Sequence, residues 1–517
     1  MSRMMKMAYA IVGSTLSCVS AAQAATVTIG SGGEFRIDGE PFLPIMQWLQ
    51  SSSRIEYQSS LGINTFVGNG GNNTSAEYLA ECRAQGVWCV MDPADMSVSS
   101  DPALLGWIFG DEPDLASNAV EPMEIQTQYD SIKQADPNHV TLLTLTSGFF
   151  GEMEPPDWMN GDRSRYYEYG EASDAVGFDL YPVYGWCRPD WLDYVGASQD
   201  ELASEYAPNR ATYQWIECVR TSSQWCDIDE RKPDDGPTPV EVSNEVWQAI
   251  VHGAKAIGYF THSWECPDYT QFCLSTEQEA GLERTNAQLT ALTVPILSAP
   301  YEETVTVEPS STDRIDWTTR RVGDEVTLIA VNLATSTVDV SFDVPGLVPD
   351  AAVSVHDEDR SLTPVGESFA DSFDPLAVHI YRMPVAPAAG AGGTGNDSMG
   401  GSPAAGSSGL GRTGTGGTSG RIDTSGDTAG VLGRAENTAE GNDEGGCGCA
   451  TPNGRVGRVQ ASLLAVLTLC AWRRRRRRAR ADRSLRRTRA TGARQVAAGR
   501  RFARLSRADH VPGRWHR

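Results

Sequence analysis

The chain has 517 residues, with 43 basic against 67 acidic side chains and a formal charge of −24. The basic residues are concentrated at one end: 18 lie between Arg473 and Arg517, so residues 1–472 hold only 25 basic against 65 acidic groups. A body this anionic repels nucleic acid and polyanionic glycans at long range, which argues against both as partners and favours neutral ligands.

Residues 1–24 read as a secretory leader, with Arg3 and Lys6 ahead of an apolar run from Met7 to Leu16 and a small-residue cleavage site at Ala22-Gln23-Ala24. From 25 to 300, apolar strand-like runs alternate with amphipathic helical ones. The predicted strands are Phe42 to Trp48, Ile63 to Val67, Val87 to Met91, Leu105 to Gly110, Val140 to Leu145, Ala175 to Tyr181, Ala211 to Glu217 and Ile257 to His262. Helical stretches between them include Ser75 to Ala84, Met123 to Ala135, Asp190 to Tyr206, Pro239 to Lys255 and Thr276 to Leu297. Eight such units predict an α/β fold, a (β/α)8 TIM barrel. A doubly wound sheet fits less well, because no glycine-rich phosphate loop follows the first strand.

Seven of the eleven cysteines fall in this body, as expected for export to an oxidising compartment. Three pairs are close in sequence and are disulfide candidates: Cys82 with Cys89, Cys218 with Cys226, and Cys266 with Cys273. Cys187 is then left over, and spacing leaves the connectivity open. No Cys-x-x-Cys and no helically spaced histidine pair is present, so neither a metal nor an organic cofactor is expected.

Residues 301–385 change to short alternating runs such as Val326 to Val331 and Ala377 to Tyr381, which predicts a small antiparallel β-sandwich. Residues 386–446 are rich in Gly, Ser and Thr and are expected to act as a linker. In 447–480, Cys447-Gly448-Cys449 precedes an apolar segment from Val459 to Trp472 and six arginines from Arg473 to Arg478. This layout resembles the C-terminal sorting tags of myxobacteria, which implies a membrane contact and a place at the cell surface. Residues 481–517 form a basic tail without recognisable chemistry.

Sites in β/α barrels form at the C-terminal ends of the strands, and these ends hold acids, amides and aromatic rings. Glu112 lies in Gly110-Asp111-Glu112-Pro113 after the fourth strand, and Pro113 predicts an extended Glu112 at the strand's last position. Glu217 ends the seventh strand. The other candidates are Trp48, Asn64, Asp111, Asp179, Tyr181, Trp215, Tyr259, His262 and Trp264, with Glu265 as an alternative carboxylate. Rings with acids and amides match the apolar faces and hydroxyl edges of carbohydrate.

On these residues, about 26 to 300 resembles the retaining glycoside hydrolases whose acid/base glutamate follows strand four and whose nucleophilic glutamate ends strand seven. The motif there is usually Asn-Glu-Pro, where this chain has Asp111-Glu112-Pro113. The resemblance implies Glu112 as acid/base, Glu217 as nucleophile and Tyr181 orienting the latter, with the charge of Glu217 and Asp111 keeping Glu112 protonated. A carbohydrate-binding surface protein without turnover is the alternative.

Overall fold

The computed structural model describes residues 24–387, apart from 117–118, 222–235, 264–265, 267–269 and 313. Save for Ala24, Ala386 and Pro387, the assigned leader, linker, sorting segment and tail lie outside these residues, as do Cys226, Trp264 and Glu265. Among the described residues, no helix is long and apolar enough to cross a membrane.

Three short strands come first, β1 (Val27–Ile29), β2 (Phe35–Ile37) and β3 (Glu40–Phe42), paired antiparallel. At three residues each they are too short to show a period of two. Phe42 belongs to β3 and not to the first barrel strand, because Pro44 separates the two. The Val27 amide bonds the Asn138 carbonyl at 2.7 Å, and Val27 and Phe35 join the barrel's interior cluster with Met46, Leu105 and Leu142. This sheet therefore plugs the barrel's N-terminal end.

The barrel strands are β4 (Ile45–Gln50), β5 (Thr65–Asn69), β6 (Trp88–Met91), β7 (Leu104–Ile108), β8 (Val140–Thr146), β9 (Ala175–Asp179), β10 (Ala211–Glu217) and β11 (Ala256–Phe260). All pair in parallel and close into a barrel, β11 meeting β4. Around them run α1 (Ile55–Ser60), α2 (Ser75–Gln85), α3 (Pro122–Ala135), α4 (Ser164–Glu171), α5 (Tyr194–Glu201), α6 (Pro239–Val251), α7 (Thr276–Ala291) and α8 (Thr293–Leu297). Thr74 with Glu77, Thr238 with Glu241 and Ser275 with Gln278 form capping boxes that start α2, α6 and α7.

Alternation along the strands separates two cores. Ile216, Ile257 and Leu143 face outward onto helical residues such as Val246, Trp247 and Leu289. Tyr213 and Trp215 fill the barrel interior. Their bulk fits because glycines stand opposite: a Cβ at Gly177 would lie 2.1 Å from the Tyr213 ring, and one at Gly258 2.2 Å from Trp215. The Trp215 indole donates to Thr144 Oγ1 at 3.0 Å, and Thr144 bonds the Tyr213 hydroxyl at 2.9 Å.

Disulfides join Cys82 to Cys89 and Cys266 to Cys273. The third expected pair is corrected: Cys218 is a free, buried thiol, and Cys187 is the disulfide-bonded residue. Closeness in sequence misled here, since Cys218 follows the end of β10 and lies in the core between barrel and helices.

Beyond α8 lie β12 (Thr306–Pro309), β13 (Ile315–Val322), β14 (Glu325–Asn332), β15 (Val338–Asp343), β16 (Val353–Val355), β17 (Arg360–Leu362), β18 (Ser368–Phe373) and β19 (Val378–Pro384). They form two antiparallel sheets, β12-β15-β18 and β13-β14-β19-β16-β17. Leu328, Phe342, Phe369 and Tyr381 share the core between them. This sandwich is attached to the barrel through α6. Asn244 donates to the carbonyls of Asn332 and Leu376, both at 2.9 Å, and His252 bridges Asp200 at 2.8 Å and Asp316 at 2.9 Å.

Candidate active site

The chain turns sharply after β7. The strand stops at Ile108, so Glu112 stands four residues past it and not at its last position. Its φ is +45° rather than extended. Pro113 denies Glu112 the right-handed helical region, and the Glu112 amide must reach across to the Thr144 carbonyl of β8, to which it donates at 3.2 Å. The left-handed conformation results, at a strain of roughly 1–3 kcal/mol. Asp114 locks the turn. Its carboxylate accepts from the Thr146 amide at 2.8 Å, from the Thr146 hydroxyl and from the Tyr166 hydroxyl at 3.1 Å.

This turn places Glu112 over the ends of β8 and β9, against Asp179, the last residue of β9. Asp179 pairs in register with Thr146 and Trp215, so its side chain shares the barrel-interior face. Glu112 is only 6% exposed. Burial first, then the charges of Asp179, Asp111 and Asp114 and a hydrogen bond to Asp179, raise its pKa well above the carboxylate range. Burial and Asp114 push Asp111 up to about 7. Asp179 is raised by burial and Asp111, although it accepts hydrogen bonds from Tyr181 and Glu112. Of the coupled pair, Glu112 holds the proton and Asp179 accepts it. Of the expectation that Glu217 and Asp111 supply the charge holding that proton, the Asp111 part stands, and Asp179 takes the place expected of Glu217.

Glu217 ends β10 in register with Phe260. It is fully buried. One oxygen accepts from the Val183 amide at 2.5 Å, and the other from the Tyr184 amide at 2.5 Å and Gly185 at 3.3 Å. Burial raises its pKa while these three N–H groups oppose the rise. The net position is up, at about 8, and the three N–H donors are the groups that favour the anion.

Rings line the rest of the mouth. Phe260 stacks on Tyr181 at 5.1 Å and on His262 at 5.6 Å and meets Trp48 at 5.6 Å, while His262 meets Trp48 edge-on at 4.9 Å. Neither His262 nitrogen meets full hydrogen-bond geometry, although the Leu49 carbonyl lies near. Burial pushes its pKa down to about 3, leaving a neutral imidazole.

Several sequence candidates lie elsewhere. Trp215 is in the barrel core, 2% exposed and tied to Thr144. Tyr259 faces the helices and donates to Asn286 at 2.7 Å. Asn64 precedes β5, at the opposite end of the barrel, where it accepts from the Ile45 amide and donates to the Leu43 carbonyl. Phe260, Tyr184 and Asp114 were missed. Phe260 had a signal, since it shares interior parity with Gly258, whereas Tyr184 and Asp114 sit in loops with no period to read. Trp264 and Glu265 lie outside the described residues. No group of three or more His, Cys, Asp or Glu among the described residues is arranged to hold a metal ion.

No protein-family model matches the chain, and no curated protein does. Among solved structures it is similar to a GH30 endoxylanase from Clostridium papyrosolvens C71, at 13% identity over 70% of this chain and 100% of that one, with a TM-score of 0.40. It is also similar to an alpha-amylase from Anoxybacillus, at 12% identity over 65% and 90% with a TM-score of 0.42. A family 39 glycoside hydrolase from Bacteroides cellulosilyticus WH2 shares 10% identity over 68% and 85%, with a TM-score of 0.40. At these values the likenesses carry no argument about activity.

Proposed function

We propose that the barrel is a glycoside hydrolase that cleaves β-glycosidic bonds of a neutral glycan by a retaining two-carboxylate mechanism, with Glu112 as acid/base and Glu217 as nucleophile. The observation that carries this reading is the contrast in the partners of two buried strand-end carboxyls of one barrel. Burial and three neighbouring acids keep a proton on Glu112, whereas Glu217, raised less by burial, has three backbone N–H groups that favour its anion. Environments that push two acids apart in this way separate a proton donor from a nucleophile.

Glu112 gives its proton to the glycosidic oxygen as Glu217 attacks the anomeric carbon, forming a glycosyl ester and releasing the leaving sugar. Glu112, now ionised, takes a proton from water, which attacks the ester and frees Glu217. Asp179 orients the Glu112 carboxyl and accepts its hydrogen bond between turnovers. Trp48 and Tyr181, packed against Phe260, are the rings placed to meet a sugar, and His262 offers an uncharged donor and acceptor. The leader and the terminal cysteine, apolar and arginine segments support export and attachment to the cell surface, which fractionation of the producing cells tests.

The test uses the full-length protein with disulfides formed, on a panel of neutral plant, fungal and bacterial polysaccharides. Sugar release by the parent, with a loss of roughly 10³-fold or more in Glu112→Gln and in Glu217→Gln, is the expected result. Azide should restore turnover to Glu217→Ala and give a glycosyl azide of inverted configuration.

One observation favours a second reading of Glu217. Its full burial and three N–H bonds also suit an anchor for the Val183–Gly185 turn. Activity surviving in a folded Glu217→Gln would assign it that role and move the nucleophile elsewhere. Sugar binding without release by the parent would make the protein a non-catalytic carbohydrate-binding one.

A further inference from the structure

The face of α6 turned to the barrel is apolar, with Val242, Val246, Trp247, Ala249 and Ile250 buried. Glu245 stands in that face with no solvent exposure, and neither of its carboxyl oxygens meets full hydrogen-bond geometry with another described group. An isolated carboxylate in such a place is too costly to remain ionised. The acceptor it faces is Glu217, at the end of β10 against which α6 packs.

Among the described residues, the titratable groups around this pair are Glu241 on the same helix and Cys218 just after β10, with Glu279 of α7 near Cys218. None is a cation. Burial, with the charges of Glu217 and Glu241, raises the Glu245 pKa well above the carboxylate range.

We propose that Glu245 is a positioning residue for Glu217: it stays protonated and donates its single O–H to the Glu217 carboxylate, which the Val183, Tyr184 and Gly185 amides also hold. Its effect on turnover rests on the glycosidase reading, since only there is Glu217 the nucleophile. A neutral donor on the helix side holds the anion in place without adding a like charge beside it. The proton stays on Glu245 throughout and no bond to it is exchanged.

Two measurements on the full-length protein test this. Infrared difference spectra with ¹³C-labelled glutamate, parent minus Glu245→Gln, should show a protonated-carboxyl band at neutral pH. Its absence means an ionised Glu245 and overturns the proposal, whatever the activity. On a polysaccharide the parent hydrolyses, Glu245→Leu should move the acid limb of kcat/KM up by about one pH unit, roughly tenfold in rate at a fixed pH below it. Glu245→Gln, whose amide N–H also donates, should leave that limb in place and kcat/KM within about threefold of the parent. A limb unmoved in a folded Glu245→Leu, or a glutamine variant that behaves like leucine, overturns the proposal. A parent that hydrolyses nothing strikes at the glycosidase reading instead, and the infrared band alone then decides where the proton resides.

Discussion

Glu112 and Asp179 work as a pair, and two consequences follow from who holds the proton. Glu112 must be protonated to act as the acid, and the Asp179 charge is the largest cause after burial that keeps it so. Asp179→Asn removes that charge, lowers the Glu112 pKa and should move the basic limb of the kcat/KM profile to lower pH. A basic limb that does not move would show that another group sets it. The second consequence concerns stability. A carboxyl whose folded pKa is raised binds a proton that the unfolded chain has already released, so stability falls as pH rises from about 4 toward the folded value. Glu112→Gln, which carries no charge at any pH, should therefore be more stable than the parent in urea at pH 8, with the difference closing near pH 4. This is a common cost of function: a group held in a state that chemistry needs and the fold does not.

At the scale of elements, α6 carries two loads. Its N-terminal half faces Glu217 through Glu245, and its C-terminal end meets the sandwich through His252, which is bonded to Asp200 after α5 begins and to Asp316 of β13. Burial pulls the His252 pKa down, but the hydrogen bonds and charges of Asp200 and Asp316 outweigh it and push it up to about 9. A histidine raised in the folded state stabilises fully below its unfolded pKa of about 6.5, and the gain is lost as pH rises through about 9. Allowing for the exposure of Asp200, His252→Gln should cost about 2 kcal/mol at pH 6. The difference should shrink to little at pH 9.5, as measured by urea unfolding of the two proteins. An equal cost at both pH values would mean that packing, not charge, is what His252 contributes.

For the whole molecule, the excess of 40 acids over bases in residues 1–472 sets which polymers approach. At low salt the repulsion of a polyanion extends over about 20–30 Å, and at 0.5 M it is confined to a few ångströms. Hydrolysis of a neutral polysaccharide should thus change little between 20 mM and 500 mM salt. A carboxylated polymer of the same backbone should be attacked several-fold more slowly at the lower salt, the ratio closing at the higher. Preference for the acidic polymer at low salt would contradict the neutral-glycan assignment and point to a cationic patch that outweighs the net charge.

The number and order of the barrel units were legible because each strand and helix carries its own period, and the sandwich because its strands alternate in and out. Local chemistry also marked Glu112, Asp179, Tyr181, Glu217 and His262 as residues beyond or at strand ends. What chain order does not encode is which neighbour a side chain meets. Tyr259 and Phe260 are adjacent, yet a single step along a strand turns one to the helices and the other to the mouth, so strand parity had to be known in three dimensions. The same holds for Cys218 and Cys187, whose states depend on which segment lies across from them. The partner of Glu112 is Asp179, 67 positions later, because barrel closure and the left-handed turn before Pro113 bring strands four and six to one point. Residue types and their spacing determined that acids and rings would gather at a barrel mouth; only the packed tertiary structure decided which acid keeps the proton, since burial and charge at a site are sums over segments far apart in the chain.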